Sequence, residues 1–355
     1  MLEFLDRIVA KFSPDLGIDF GCSELGVVEC GKNSWREPSR LTYDIRHDKV
    51  TAVGAKSKLM EGRTSRNECV VRPIQRGCVC DYTGTLELLR FVLGRASQMG
   101  IWGPRVMLAV PVDVSEVEER VLADLCRFAG ARDIYMVPAL LASALGAGLN
   151  VTGSKACMVL NMGAEITQAA VLCMGGIVAA ASIPLGGLDL DKQIADYCRA
   201  RHGLVVGLRS AEFLKITGGC ARTDKGGEEW DIKGRDLKTG FPRRLKLTAA
   251  QIVKVLAPKL EQVAQLIQRV LQNTPPGFAG DIVESGLTLC GGSSQLKELD
   301  HYLSEMTGVF CQVAENPATC TLKGLEQMYY DPRIMKTIMA GGLRLNSYVG
   351  VAGGI

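Results

Sequence analysis

Residues 15–28 read DLGIDFGCSELGVV: one apolar strand that carries Asp19, a glycine turn at Gly21, and a second apolar strand. Residues 158–172 read MVLNMGAEITQAAVL and repeat this outline, with Gly163 in the turn. Two apolar runs joined by a short turn that contains glycine predict a β-hairpin. Because the outline occurs twice, the sequence predicts two related halves that each begin with a hairpin.

The segments that follow the hairpins predict further strands and helices. Residues 105–111 form an apolar run typical of a buried strand. Residues 114–130 predict a helix, because apolar residues recur at helical spacing behind a capping box of Ser115 and Glu118. A second helix is predicted over residues 249–273. Strands and helices that alternate in this way indicate an α/β protein.

Three further stretches of the chain are interpreted from the positions of their glycines. The uncharged stretch 166–188 is long enough to span a membrane, but its glycine pairs favour two buried strands. Residues 220–244 predict a surface loop; within them, residues 234–240 resemble a phosphate loop but lack its G-K-[ST] ending, so we interpret them as a hairpin turn. Residues 286–294 predict strand, glycine turn and helix, an arrangement whose free amides suit an anion.

Composition limits the class of protein. The chain has 355 residues, of which 47% are hydrophobic and 22% charged, which is typical of a globular protein of two domains. A formal charge of +3 without long blocks of one sign argues against nucleic-acid binding. The thirteen cysteines are scattered through apolar runs, so we expect reduced core residues. The first residues lack the features of a signal peptide, which predicts a cytoplasmic protein.

These pieces, in this order, resemble the MreB family of bacterial actin-like proteins over nearly the whole chain. The matching strings are GIDFG at 17–21, EPS at 37–39, AVGAKSKLMEGRT at 52–64, VRPIQRGCVCDY at 71–82, PRV at 104–106, GRDLKTGFP at 234–242 and TPP at 274–276. The resemblance implies an actin-like, ribonuclease H-like duplicated α/β fold, with two lobes and four subdomains around a nucleotide cleft. It also implies filaments at the inner membrane that guide cell-wall synthesis.

The resemblance divides the chain into segments. They are an N-terminal segment 1–12, a first lobe 13–154 with a small subdomain at about 41–81, a second lobe 155–329 with a small subdomain at about 189–248, and a C-terminal segment 330–355 that returns to the first lobe. The ligands implied are ATP and Mg²⁺. The nucleotide-binding positions implied are Asp19, Gly21, Gly163, Glu212, Lys215, Gly291, Gly292 and Ser293.

The phosphate side of this implied site departs from the family pattern. Glu24 replaces a small donor in the first hairpin, Asn161 replaces the aspartate that holds magnesium-bound water, and Glu165 enters the second turn. The glutamate that orients the attacking water belongs to a Glu-Glu-Pro string in the family and is absent here, because the chain reads Met136-Val-Pro138-Ala139-Leu140 there. A carboxylate about 4 Å from a phosphate costs roughly 4 kcal/mol, while micromolar binding amounts to about 8 kcal/mol. These changes argue against phosphate binding, unless both glutamates face solvent or pair with nearby cations.

Two apolar features predict membrane contact. Residues 1–12 have helical periodicity with one apolar face, which suits either an interfacial anchor or packing in a core. A second candidate is the apolar loop tip at Ile101 and Trp102. The membrane-facing residues of the first feature are Leu2, Leu5, Ile8 and Phe12.

We therefore expect a scaffold rather than an enzyme: a filament protein of the MreB type that has lost hydrolysis and lies at the inner face of the cell membrane. Its expected partners are itself or a paralogue, the membrane surface and membrane proteins of the cell-wall machinery. Two alternatives remain open at this point. One is an active ATP-hydrolysing filament protein of the same family, and the other is an actin-fold small-molecule kinase.

Overall fold

The computed structural model describes residues 15–30, 32, 34–96, 103–222, 228–340 and 347–349. The chain divides into two compact units. The first contains the described residues up to Ser154, Cys173–Ile177, and those from Thr319 onward; the second contains Lys155–Leu172 and the described part of Val178–Ala318. The sequence places the return to the first lobe at residue 330. In the structure it begins at Thr319, because the helix Cys320–Tyr330 packs in the first unit.

The strands and helices follow in chain order. The strands are β1 (Asp15–Phe20), β2 (Glu24–Glu29), β3 (Ser34–Pro38), β4 (Leu41–Asp44), β5 (Lys49–Val53), β6 (Glu68–Val71), β7 (Ile74–Gln75), β8 (Cys78–Val79), β9 (Arg105–Val110), β10 (Asp133–Pro138), β11 (Cys157–Met162), β12 (Thr167–Cys173), β13 (Gly176–Ile183), β14 (Leu204–Val205), β15 (Glu229–Asp236), β16 (Pro242–Thr248), β17 (Leu287–Cys290), β18 (Cys311–Val313) and β19 (Ser347–Val349). The helices are α1 (Ala55–Met60), α2 (Tyr82–Ala96), α3 (Glu116–Phe128), α4 (Ala139–Gly146), α5 (Gly187–His202), α6 (Leu208–Gly218), α7 (Ala249–Gln272), α8 (Pro276–Ser285), α9 (Leu299–Thr307), α10 (Cys320–Tyr330) and α11 (Pro332–Ala340), with 3₁₀ turns at Gly292–Gln295 and Pro317–Thr319.

The main sheets of the two units repeat one arrangement. In the first unit the strand order is β19-β10-β9-β1-β2-β3, where β1 pairs antiparallel with β2 and parallel with β9. In the second it is β13-β12-β11-β17-β18, where β11 pairs antiparallel with β12 and parallel with β17. Both predicted hairpins are therefore confirmed. Each unit also has a small three-stranded sheet, β5-β4-β6 in the first and β14-β15-β16 in the second.

The central strands are apolar because both faces of each main sheet are covered. In the first unit the buried cluster joins strands β1, β2, β9 and β10 to helices α2 and α3. In the second unit every residue of β12 and of β17 is buried. This packing fixes the strand ends, and the turns at those ends carry most of the candidate residues.

Several sequence predictions are confirmed and others are wrong. The predicted helices correspond to α3, where Ser115 and Glu118 form the expected capping box, and to α7. The stretch 166–188 forms two strands, but the second, β13, is only partly buried. The predicted surface loop 220–244 is wrong, because the strands β15 and β16 pair along Glu229 to Thr248 and pack on α6 and α7. The hairpin turn predicted within it at 234–240 is confirmed, since it joins these two strands. The glycine turn after β17 leads into a 3₁₀ turn rather than an α-helix.

The predicted membrane contacts lie in parts of the chain that the structure does not describe. Residues 1–12, with the predicted anchor, and residues 101 and 102, with the predicted loop tip, are outside the described ranges. Among the helices that are described, none combines the length and the apolar character needed to cross a bilayer.

Candidate functional site

Hydrogen bonds to the backbone hold the turn between β1 and β2. The turn also leaves no room for a side chain at Gly21. The amide of Gly21 donates to the carbonyl of Asp19 at 3.0 Å, and the Ser39 hydroxyl donates to the carbonyl of Gly21 at 2.6 Å. A Cβ at Gly21 would lie 2.3 Å from the carbonyl oxygen of Glu24. The turn therefore requires glycine at this position.

Asp19 is the acidic group of the first unit that the sequence analysis selected. Burial raises the pKa of its carboxyl from 3.8 to about 6, although the charge of Arg36 and a hydrogen bond with Thr321 lower it. Gly26 lies opposite Asp19 in the sheet and Arg36 lies opposite Gly26, so the three residues form one row across β1, β2 and β3. A carboxylate that is desolvated in the folded state is typical of a functional site.

We expect Asp19→Asn to stabilise the folded protein at pH 8. A pKa of about 6 in the folded state against 3.8 in the unfolded state means that the folded protein binds more protons between these values. Stability is therefore lost as the pH rises from about 4 to 6, by up to about 3 kcal/mol. Urea unfolding should show the variant more stable than the parent at pH 8, with the difference shrinking towards pH 4.

The matched control is Asp44→Asn. A hydrogen bond from His47 and one from the Arg46 amide hold the pKa of Asp44 below its ordinary value, so its removal should not stabilise the protein at pH 8. A destabilised Asp19→Asn variant at pH 8 would contradict the burial argument.

Glu24 stands at the start of β2 with two cations beside it. Its carboxylate lies 3.7 Å from the guanidinium of Arg36 and 3.5 Å from the ammonium of Lys58. The side chain of Glu24 is 36% exposed, so each pair contributes little to stability. For Glu24, the structure therefore supports the alternative in which the carboxylate is paired with nearby cations.

The turn between β11 and β12 is closed by its own backbone and by the start of α5. The Gly163 amide donates to the Ile166 carbonyl at 2.9 Å, and the Gly163 carbonyl accepts from the Gly187 amide at 3.0 Å and from the Ser293 hydroxyl at 2.7 Å. A Cβ at Gly186 would lie 2.4 Å from the carbonyl carbon of Ala164. The sequence marks Gly163 and Ser293 separately, and the structure brings them into direct contact.

Gly291 lies against the end of β11. Its φ of +88° favours glycine, and a Cβ there would lie 2.3 Å from the carbonyl oxygen of Met162 and 2.5 Å from the side-chain oxygen of Asn161. At Gly292, a Cβ would meet no atom within 4 Å. Gly292 is therefore exposed, with open space where a side chain would stand.

Lys215 anchors the start of α5. Its ammonium donates to the Gly187 carbonyl at 2.7 Å and pairs with Asp191 at 2.9 Å, where the Asp191 side chain is only 1% exposed. Glu212 lies three residues earlier on α6 and is half-buried. The sequence analysis missed Asp191 and Gly187, for which the only signal is the GGLDLD string at the start of α5.

The start of α4 carries no carboxylate. Pro138 caps this helix, and its first turn reads Ala-Leu-Leu-Ala from Ala139. Ser143, in the next turn, lies 3.0 Å from the hydroxyl of Thr321, the same residue that hydrogen-bonds Asp19. Thr321 is a further residue that the sequence analysis missed, because its contacts come from α4 and β1, far away in the chain.

In the second unit the Gly292 backbone is exposed, but the residues at the end of β11 do not fit the magnesium and phosphate part of ATP. Position 161 carries an uncharged amide whose oxygen lies close to Gly291, and the amide of Gly163 is already bonded within its turn. Mg²⁺ prefers carboxylate oxygens, so this half of the site does not fit the metal.

Comparison with known proteins gives consistent matches along the chain. A family model described as MreB/Mbl protein matches residues 13–337. The chain is 33% identical over 329 residues to the cell shape-determining protein MreB of Escherichia coli (strain K12), which covers 90% of this chain and 94% of that protein. It is 31% identical over 315 residues to the cell shape-determining protein Mbl of Bacillus subtilis (strain 168), with 88% and 95% covered.

A solved structure matches the fold as well. MreB5 of Spiroplasma citri bound to ADP superposes with a TM-score of 0.86 at 26% identity, covering 93% of this chain and 99% of that one. This likeness and the family match confirm the actin-like fold class that the sequence predicts.

Proposed function

This chain belongs to the MreB/Mbl protein family, and on that premise we propose that it is an actin-like filament protein of cell shape that binds a nucleoside but does not hydrolyse ATP. Its relatives in Escherichia coli and Bacillus subtilis are named as cell shape-determining proteins. Its proposed partners are further copies of itself or of a family paralogue, and membrane proteins of the cell-wall machinery.

One observation carries the proposed loss of hydrolysis. Asn161 at the end of β11 carries no carboxylate, and neither do the residues around Pro138 and Ala139 at the start of α4, where the family resemblance implies acidic groups. Phosphoryl transfer depends on the positioning of metal, phosphate and water rather than on covalent chemistry of the protein. A chain without those groups binds at most the nucleotide and leaves the bond intact.

The proposed nucleoside site uses the residues that the sequence analysis selected. In the second unit, the Ser293 hydroxyl donates to the Gly163 carbonyl, Lys215 donates to the Gly187 carbonyl, and Gly292, next to Gly291, is exposed. Glu212 shares α6 with Lys215. We propose separately, from the family resemblance, that Asp19 and Gly21 in the hairpin turn of the first unit are nucleotide-binding positions. A solved family member, MreB5, was crystallised with ADP.

We expect the protein to assemble without ATP. If the filament contact does not depend on γ-phosphate and magnesium, light scattering and negative-stain electron microscopy should show the same polymers with and without ATP and Mg²⁺. Chromatography of protein purified gently should find little bound ATP. Polymers that form only with ATP and Mg²⁺ would show that this proposal is wrong.

We also propose that residues 1–12 and the tip at Ile101 and Trp102 hold the filament at the membrane. The protein should sediment with lipid vesicles, because filaments multiply weak anchors by effective concentration. A variant that lacks residues 1–12 and carries Ile101→Ser and Trp102→Ser should remain in the supernatant. Equal sedimentation of parent and variant would refute the anchor.

A second candidate function, an active ATP-hydrolysing filament protein, is favoured by one finding. Arg36 and Lys58 lie beside Glu24, so the charge that this carboxylate places in the first turn is partly balanced. Phosphate release measured with and without Mg²⁺ separates the two candidates.

A further inference from the structure

We propose that the open edge of β16 binds an acidic, extended peptide segment of another protein, which adds to the small sheet of the second unit as a further strand. This surface uses none of the residues of the proposed nucleoside site. The inference therefore goes beyond the proposed function and does not depend on it.

The strand β16 lies at the edge of the sheet β14-β15-β16. In the part of the chain that the structure describes, it pairs with β15 alone, from Pro242 to Thr248. An edge strand presents backbone donors and acceptors along its outer side, where another strand can pair with them. Pro242, Arg243, Arg244 and Lys246 are exposed, so a partner can approach this strand from solvent.

The ladder shows which backbone groups of β16 face the open edge. The Asp236 amide donates to the Phe241 carbonyl at 2.9 Å, and hydrogen-bonded pairs alternate along an antiparallel ladder. Every second residue, Arg243 and Leu245 among them, therefore directs its amide and carbonyl towards β15. The residues between them, Arg244 and Lys246, direct theirs towards the open edge.

The two ends of this edge are closed. Pro242 has no amide and occupies an edge-facing position, which is where proline is tolerated in a sheet. The Thr248 amide donates to the side-chain oxygen of Gln251 at 2.9 Å, as part of the cap of α7. The backbone available to an added strand is therefore that of Arg244 and Lys246.

The exposed face of the hairpin carries cations that lack acidic partners. Lys233 and Arg244 lie directly opposite each other, and like charges in that position destabilise a sheet. Arg235 follows Lys233 by two residues and lies on the same face. Within the described residues, none of these three side chains forms an ion pair, whereas Lys246 pairs with Glu229 at 3.2 Å. An acidic partner would relieve the repulsion between Lys233 and Arg244.

The same charges select the occupant. Two copies of this edge would bring Arg244 and Lys246 against the same cations of the other copy, so self-pairing is disfavoured. An extended segment with an acidic side chain at every second position places all of its carboxylates on one face, beside the cations. In strand addition the main chain supplies affinity and alternate side chains supply specificity. A row of lipid phosphates would pair the cations but would leave the carbonyls of Arg244 and Lys246 without donors.

The probe is a synthetic peptide in which glutamate and valine alternate, and two control peptides separate the contributions. One has the same composition, with the glutamates and the valines in separate blocks. The other keeps the alternating sequence but is N-methylated on its backbone, which removes its donors. Fluorescence anisotropy should show the alternating peptide binding the intact protein at least about tenfold more tightly than either control.

The test of the protein side is Arg244→Glu. This change places opposite charges across from each other in the ladder, so the hairpin should keep its fold while binding of the alternating peptide weakens by about tenfold. The matched control is Lys192→Glu, which makes the same change in net charge at an exposed position near the start of α5 and should bind the peptide as the parent does.

Amide hydrogen exchange measured by NMR gives a readout that charge attraction alone would not change. The alternating peptide should slow exchange of the Arg244 and Lys246 amides and leave those of Arg243 and Leu245, already bonded to β15, as they were. Equal affinity for the alternating and block peptides, or binding without this protection, would overturn the proposal. Phosphatidylglycerol vesicles that bind the parent but not Arg244→Glu, with no peptide binding, would also overturn it and would indicate a membrane surface.

Discussion

Gly324→Ala is expected to lower the free energy of unfolding by about 2–4 kcal/mol, a large part of the stability of an ordinary domain. A Cβ on Gly324 of α10 would lie 1.8 Å from the carbonyl oxygen of Ala142 on α4. On the other helix, a Cβ on Gly146 would lie 1.8 Å from the carbonyl oxygen of Cys320. The two helices therefore meet backbone to backbone, and a methyl group can be accommodated only if one helix moves.

The effect should reach the candidate site, because Thr321 lies one turn before Gly324 and hydrogen-bonds Asp19. Urea unfolding measures the loss directly. The matched control is Gly94→Ala in α2, where a Cβ would meet no atom within 4 Å; this change should be neutral or stabilise by about 0.5–1 kcal/mol. If both variants lost the same stability, helix propensity or the unfolded state, rather than the close crossing, would be responsible.

The elements that the sequence predicts well are those with local signals. The hairpins β1–β2 and β11–β12 each have two apolar runs joined by a turn that contains glycine, and α3 has its cap within one turn. The turn of the hairpin β15–β16 was predicted at residues 234–240, but the length of its strands was missed because few apolar residues, Ile232 and Leu247 among them, alternate with polar ones. A polar hairpin of a small sheet has the composition of a loop.

The environment of the candidate residues could not be predicted in the same way. Asp19 is hydrogen-bonded to Thr321, and the Gly163 carbonyl accepts a hydrogen bond from Ser293. Both partners are far away in the chain. The charge of Glu24 suggests repulsion of phosphate when the sequence is considered alone. Its pairing with Lys58 requires the position of α1 relative to β2, which only the folded structure gives.

The largest expected effect concerns ATP hydrolysis. We expect the unmodified protein to release phosphate at the background rate, and Ala139→Glu alone to remain at that rate. Precise positioning can supply about 7–11 kcal/mol of a reaction barrier, and groups that act as a unit are strongly non-additive. Adding one carboxylate to α4 leaves Asn161 uncharged and the turn at Glu165 unchanged. Ala139→Glu alone should therefore not raise the rate of phosphate release.

Turnover is expected only when the groups are restored together. The combined variant carries Asn161→Asp, Ala164→Gly, Glu165→Gly, Ile166→Thr, Ala139→Glu and Glu24→Asn. The bonds that close the second turn use backbone atoms of Gly163, Ala164 and Ile166, so these replacements preserve them. Magnesium-dependent phosphate release should then appear, and Asp19→Ala in this background should remove it.

The contradicting result is equally definite: magnesium-dependent phosphate release by the unmodified protein that Asp19→Ala abolishes. Such activity would mean that Asp19 supports catalysis without a carboxylate at position 161 or 139. The partial balance of Glu24 by Arg36 and Lys58 would then be the reason that phosphate is tolerated in the first turn. Phosphate release should therefore be measured side by side for the unmodified protein, Asp19→Ala and the combined variant. The comparison separates a site that has lost ATP hydrolysis from one that hydrolyses ATP with replacement residues.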